Sequence, residues 1–345
     1  MEKMRFGIIG CGVISSWHAR AITALDEAEL VAVCDIIPER AEKLSAEFGG
    51  KVYTDYHEML ASPDVVTVCI CTPSGMHADM AIAAARAGKH VMTEKPIDIN
   101  LAKIDQMIAE CRNCGVKLGV IFQRRTTPMW YRIKAAIDKG LLGKMVLGDA
   151  YLKYYRSQEY YDSGDWRGTK ALDGGGALMN QGVHMVDILQ WIMGPVESIF
   201  AHADHLVRDI EVEDTTVAVL KFANGAFGVL EGTTSVVGMD HRLELHGDKG
   251  TITVDRETIE KWEVPEEKTS VDDMELEITI GSAATDPTAI GIEGHQAQIL
   301  DLIHAICEDR DPMVTGEEAR KAVEIILSVY QSAQTGQLVK LPLKP

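Results

Sequence analysis

The sequence predicts an α/β amino-terminal Rossmann domain with a mostly parallel sheet, followed by an α+β carboxy-terminal domain with a large, mostly antiparallel open sheet. Three observations predict this. Up to about residue 124, short apolar strands alternate with helical stretches, as in successive βαβ units. From Met145 the chain shows longer alternating strands, with turn signals at Asn224-Gly225 and across Gly247 to Gly250. At 345 residues and 46% hydrophobic content, the chain exceeds one comfortable core and can fill two. The expected domains are 1–124 and 125–345.

The first element is the short buried strand Met4 to Ile9. It runs into Gly10-Cys11-Gly12-Val13-Ile14-Ser15 and then into a helical pattern carrying Trp17, Ala19, Ile22 and Leu25. Gly10 permits a tight turn, Gly12 lets the backbone approach a pyrophosphate, and the helix N-terminus offers amide donors to the anion. Ser15 stands where a third glycine is usual and is small enough to keep helix and strand close. Glu29 to Cys34 reads as the second strand. Asp35 follows at the spacing expected of a carboxylate that accepts the adenosine ribose hydroxyls and repels a 2′-phosphate. Ile36-Ile37 supplies no adjacent cation, although Arg40 is near, so NAD is favoured over NADP. Without the glycine turn, Asp35 would read as a surface carboxylate ending a strand.

Val65 to Cys71 is expected as a third strand and Met76 to Gly88 as an alanine-rich helix. The apolar run His90-Val-Met leads into Thr93-Glu94-Lys95-Pro96. A parallel sheet binds ligands outside the carboxyl ends of its strands, so a strand stopping at Glu94 delivers Lys95 to that edge, where a nicotinamide would sit. Pro96 cannot donate to the ladder and keeps Lys95 extended. A helix from Leu101 to about Cys114 and a strand over Gly115 to Phe122 complete the series. In the second half, helices are expected near 177–193, 294–308 and 316–334, and the acidic stretch Glu263 to Glu277 reads as an exposed excursion.

A net charge of −18 disfavours nucleic acid and anionic membranes as partners. An acidic substrate would need a local basic pocket, for which Arg124, Arg125, Lys153, Arg156, Arg167 and Lys170 are candidates, each otherwise a solvated surface charge. No segment reaches transmembrane length and no leader precedes the first strand, which points to the cytoplasm. Seven cysteines fit that compartment. Cys11, Cys34, Cys69 and Cys71 lie in or beside apparent buried strands. Cys111-Arg-Asn-Cys114 has no second ligand pair in spacing, so structural cysteines are favoured over a metal or redox site, and no metal is expected.

The second candidate element runs from Asp173-Gly-Gly-Gly176 through Asn180 and His184 to Asp187 and stops at Gly194-Pro195. On an α-helix Asn180 and His184 share a face, so Asn180 can orient a ligand group beside an imidazole suited to exchanging a proton with a hydroxyl. Spacing alone leaves a satisfied core histidine as the commoner outcome.

Taken together, the turn at Gly10 to Gly12, Thr72-Pro73-Ser-Gly-Met-His77, Glu94-Lys95-Pro96, Trp166-Arg167 and the glycine-led helix with Asn180 and His184 resemble the Gfo/Idh/MocA oxidoreductases over essentially the whole chain. The resemblance implies hydride exchange between NAD and a secondary hydroxyl of a sugar, cyclitol or nucleotide-linked sugar, with Lys95 and His184 catalytic. It implies cofactor contacts from Gly10, Gly12, Val13, Ile14, Asp35, Thr72, Pro73, His77, Glu94, Lys95, Gln123, Trp166 and Arg167, and substrate contacts from Asn180, Arg167, Tyr154 and Gln123. Many members carry aspartate where this chain has Asn180. An amide cannot take a proton, which leaves His184 as the base. The Asn-Gln-Gly-x-His form is similar to the branch that oxidises C3 of UDP-linked N-acetylglucosamine or its uronate. Tyr151, Tyr154, Tyr155, Tyr160, Tyr161 and Trp166 suit stacking on a pyranose or uracil, although strand alternation turns about half of such tyrosines toward a core. Two alternatives stand beside this reading: a glycoside-cleaving enzyme that oxidises C3 transiently with tightly bound NAD, and a non-catalytic NAD-binding sensor. Relatives also imply a homodimer or homotetramer through the second sheet.

Overall fold

The computed structural model describes residues 3–265 and 291–343. Chain contacts divide it into two compact units, Met1–Gln123 with Ile292–Arg320, and Arg124–Gly291 with Lys321–Pro345. The expected division placed 292–320 in the second domain. The structure groups it with the first, because Ile299, Leu302 and Ile303 on the helix Glu293–Cys307 join the buried cluster of Phe6, Ile8, Ala19 and Ile22. The helix Gly316–Thr335 begins among the residues of the first unit and continues into those of the second.

In the first unit, six strands form one parallel sheet: β1 (Met4–Ile9), β2 (Ala28–Cys34), β3 (Lys51–Tyr53), β4 (Thr67–Ile70), β5 (His90–Thr93) and β6 (Leu118–Val120). Their order is β3-β2-β1-β4-β5-β6, so connectivity reverses between β1 and β4 and opens a crevice at the carboxyl ends of those strands. β4 is shorter than its apolar run, yet the flanking Val66 and Cys71 amides still bond to the Arg5 and Ile9 carbonyls, so the pairing with β1 extends past both ends of the strand.

In the second unit, eight strands form a mostly antiparallel sheet: β7 (Met145–Lys153), β8 (Val196–Asp204), β9 (Thr215–Phe222), β10 (Phe227–Thr233), β11 (His241–Gly247), β12 (Thr251–Asp255), β13 (Thr258–Glu263) and β14 (Val339–Lys340). The order is β13-β12-β11-β7-β10-β9-β8-β14, and the β7–β10 pair is parallel. The Asn224-Gly225 turn joins β9 to β10 as expected, with Gly225 at φ 91° and the Asn224 side chain accepting the Ala226 amide. One sheet face lies under the helix Val183–Met193. Gly148 allows that approach, since a Cβ there would meet the Met193 side chain at 2.7 Å. On the other face Leu147, Val217, Val219 and Phe227 are exposed.

The helix expected near 177–193 is two structures. Ala177–Gly182 is a π-helix and Val183–Met193 an α-helix. An i→i+5 ladder changes the angular step per residue, so the α-helical rule that put Asn180 and His184 on one face does not carry across this junction. The acidic stretch expected as an excursion lies, beyond residue 265, outside the described residues.

Candidate active site

The glycine turn sits at the crevice between β1 and β4. Gly10 has φ 90°, and a Cβ on it would press against the Cys71 backbone at 2.9 Å. Gly12 differs: a Cβ there would meet nothing within 4 Å, so the turn presents bare backbone to open space. The helix Ser15–Thr23 starts without a side-chain cap, and Ser15 turns its hydroxyl back to the Gly12 carbonyl at 2.6 Å. Its first amides therefore face outward at the positive end of the helix dipole, which suits a pyrophosphate. Asp35 closes the same turn. Its carboxylate accepts the Cys11 amide at 2.7 Å and the Ile37 amide at 2.9 Å, keeping further lone pairs for ribose hydroxyls. Ile36 and Arg40 are exposed beside it.

Lys95 stands half-buried at the end of β5, and its placement depends on Glu94. The buried Glu94 carboxylate accepts Nε2–H of His18 at 2.8 Å and of His295 at 3.2 Å, and its second oxygen accepts the Lys95 amide at 3.1 Å. Burial works against that charge, but the two histidine hydrogen bonds hold the Glu94 carboxyl well below the usual carboxylate range. Burial also lowers the His18 pKa, with Glu94 opposing. Two histidines and a glutamate are a metal-competent set. Here, however, the Nδ1 atoms of both rings have no hydrogen-bond partner among the described residues, whereas metal-bound histidines normally anchor that nitrogen. The donor distances fit a hydrogen-bonded cluster.

His77 is another internal fastener. Its ring nitrogens lie 2.8 Å from the carbonyls of Pro96 and Thr72, tying the Lys95-Pro96 turn to the end of β4. Both Glu94 and His77, expected as cofactor contacts, thus face protein. Gln123 is buried with its side chain against Gly294, whose missing Cβ leaves room for it.

In the second unit Asn180 donates to Asp173 at 2.5 Å and accepts from Gln181 at 2.9 Å. Gln181 in turn donates to the Tyr160 hydroxyl at 3.0 Å and accepts from Arg156 at 2.8 Å. Arg167 donates to the same hydroxyl at 2.5 Å and stacks on the Tyr160 and Trp166 rings. His184 is buried on the following α-helical turn, whose Asp187 is held by Arg125 in a bidentate pair at 2.6 and 2.7 Å. The basic pocket expected from six cations is therefore smaller. Arg124 pairs with Glu257, Arg125 with Asp187 and Lys153 with Glu231, while Arg156 and Arg167 converge on Tyr160. Tyr154, expected to touch substrate, packs in the core against the His241 ring, and burial raises its hydroxyl pKa. Tyr161 is buried too, whereas Tyr151, Tyr155 and Tyr160 remain partly accessible.

Residues 4–122 match the oxidoreductase family with an NAD-binding Rossmann fold, and residues 130–253 match the GFO/IDH/MocA C-terminal domain. The chain belongs to the Gfo/Idh/MocA oxidoreductase family. Its cofactor is NAD. A myo-inositol 2-dehydrogenase of Thermotoga maritima is 34% identical over 273 residues, 74% of this chain and 77% of that protein. The WlbA dehydrogenase of Bordetella pertussis, solved with NADH and UDP-GlcNAcA, superposes with a TM-score of 0.89 at 34% identity, covering 99% of this chain and 100% of that one. A second WlbA dehydrogenase, from Chromobacterium violaceum and also solved with NADH and UDP-GlcNAcA, gives a TM-score of 0.90 at 32% identity, covering 100% of this chain and 98% of that one. No helix among the described residues is long and apolar enough to cross a membrane.

Sequence reading of this family member missed His18, His295 and the role of Gln181. One signal was present: His18, Ala19 and Ile22 share the buried stripe of their helix, and a polar residue on such a stripe demands a partner.

Three measurements check the first unit. Gly12→Ala should leave stability within about 0.5 kcal/mol and weaken NAD binding, whereas Gly10→Ala should lose both, read by calorimetry and cofactor titration. Glu94→Ala should cost about 3 kcal/mol in denaturant unfolding by stranding two buried imidazole donors. The pH dependence has a definite sign. His18 is depressed from 6.5, so the unfolded chain takes up a proton below that value that the folded site refuses. Glu94 is depressed from 4.5, and its contribution fades as pH falls from there through its folded value. Unfolding midpoints should therefore fall as pH drops below 6.5 in the native protein, and the Glu94 part of that fall, below 4.5, should be absent from Glu94→Ala.

Proposed function

We propose that the protein oxidises a secondary hydroxyl of a sugar, cyclitol or nucleotide-linked sugar, with His184 removing the hydroxyl proton and Lys95 stabilising the developing alkoxide. The placement of Lys95 carries the reading: a lysine at the carboxyl end of β5, its backbone fastened to a buried carboxylate, on the sheet edge where this fold binds dinucleotides. NAD, when bound, supplies the hydride acceptor. Gly10, Gly12, Val13 and Ile14 would meet its phosphates and Asp35 its ribose, with Thr72, Pro73, Gln123, Trp166 and Arg167 completing the cofactor contacts.

Asn180 has its carbonyl and amide tied to Gln181 and Asp173, so its role is to orient the sugar, and the imidazole of His184 takes the proton. Among substrates, a UDP-linked N-acetylamino sugar or its uronate is favoured by full-length likeness to a dehydrogenase solved with UDP-GlcNAcA. Arg156 and Arg167 flanking Tyr160 give such an anion a cationic, hydrogen-bonding partner despite the net charge of −18.

The protein is a homo-oligomer through the open face of the second sheet. Phe227 lies across from Leu147 on one neighbouring strand and Lys221 on the other, with Val229 opposite Val219, which makes a broad apolar surface for a second copy.

Lys95→Met should lower kcat about 10²–10³-fold and His184→Ala about 10²–10⁴-fold, each with NAD affinity largely kept. Near-normal turnover in either would sink that assignment. Light scattering at micromolar concentration should give a multiple of the monomer mass of 37.8 kDa, and Phe227→Lys should reduce it. A monomeric native protein would contradict the oligomer.

A further inference from the structure

The π-helix is held by two residues that no part of the dehydrogenase reading uses. A helix normally leaves its first amides without partners. Here they are met by two distant segments of the same unit. The Gly176 and Leu178 amides donate to the two oxygens of the Glu213 carboxylate at 3.0 and 2.9 Å, and the Ala177 amide donates to the Glu213 carbonyl at 3.1 Å. Tyr330 donates its hydroxyl to Glu213 at 2.8 Å, and that hydroxyl also takes a hydrogen bond from the Met179 backbone.

The glycine run exists for this contact. A Cβ on Gly175 would collide with the Tyr330 hydroxyl, and one on Gly176 with the Glu213 carbonyl. Next along the chain, the Asn180 and Gln181 amides both reach back to the Gly176 carbonyl, at 3.3 and 3.4 Å, and the second of these is the i→i+5 bond of a π turn. With four amides pinned from outside, the turn cannot tighten to the α register without breaking charge-assisted hydrogen bonds in a buried site. The same pinning leaves this N-terminus no free amides for a ligand anion.

We infer that Glu213 and Tyr330 are positioning residues: they fix the π register of Ala177–Gly182, and through it the direction in which Asn180 and Gln181 are presented to the sugar. The presentation rests on the proposed function, whereas the clamp itself does not.

Two variants of the full-length protein separate these claims. Glu213→Gln turns one acceptor oxygen into an amide donor facing Gly176 or Leu178. Tyr330→Phe keeps the carboxylate and removes one donor, and serves if Glu213→Gln fails to fold. Hydrogen exchange by mass spectrometry should show amides 176–181 exchanging roughly tenfold faster or more in Glu213→Gln and less so in Tyr330→Phe. With NAD and UDP-N-acetylglucosaminuronate as the probe pair, KM for the sugar should rise roughly tenfold while the Kd for NAD is unchanged, a split that general loosening of the fold would not produce. Unchanged exchange in both variants would overturn the clamp. Faster exchange with unchanged KM would overturn the positioning step. If the native protein does not turn over this sugar, that result falls on the proposed function, and exchange still decides the clamp.

Discussion

The first unit depends on one buried negative charge. Glu94 gathers His18, 76 residues upstream, and His295, 201 residues downstream, onto a single oxygen, and gives its other oxygen to the backbone of Lys95. A carboxylate taken out of water is expensive unless its lone pairs are filled, so the cluster is stable only when all three segments are in place. That makes the helix Ser15–Thr23, which begins at the dinucleotide turn, and the carboxy-terminal helix Glu293–Cys307 parts of one arrangement with the end of β5. It also explains why a helix nearly three hundred residues along the chain belongs to the first unit. Apolar packing by Ile299 and Leu302 supplies area, and His295 supplies the specific partner.

The second unit repeats the principle with different residues. Its π-to-α helix is fastened at two points by buried carboxylates, Glu213 at the π turn and Asp187, paired with Arg125, one turn past His184. In each unit a buried carboxylate holds a segment to which the proposed function assigns catalysis. Such groups are costly to misplace, and rigid support of this kind is what a site needs to hold geometry within fractions of an ångström.

Much of this was legible in the sequence. The switch from short buried strands to long alternating ones predicted both sheets, and Gly10, Gly12 and Asp35 stand where the turn chemistry required. Lys95 could be placed because strand ends in a parallel sheet have a fixed meaning. Long-range polar partners were not legible: nothing local to Glu94 announces His295, and nothing in the glycine run announces Tyr330. The π register also escaped, since it is imposed by amide partners outside the helix and leaves no trace in helical periodicity. Tyr154 was misread for a related reason. Alternation says that some tyrosines face inward, and only the packing against His241 says which.

Hydride transfer between a sugar hydroxyl and NAD is the activity proposed for this chain. The most direct test is to supply the purified protein with NAD, offer free sugars, cyclitols and UDP-linked sugars in turn, and follow the absorbance of reduced nicotinamide. Growth of that band with one compound, above all UDP-N-acetylglucosaminuronate, is the predicted result. Firmly bound NAD with no reduced nicotinamide formed from any of them would contradict it.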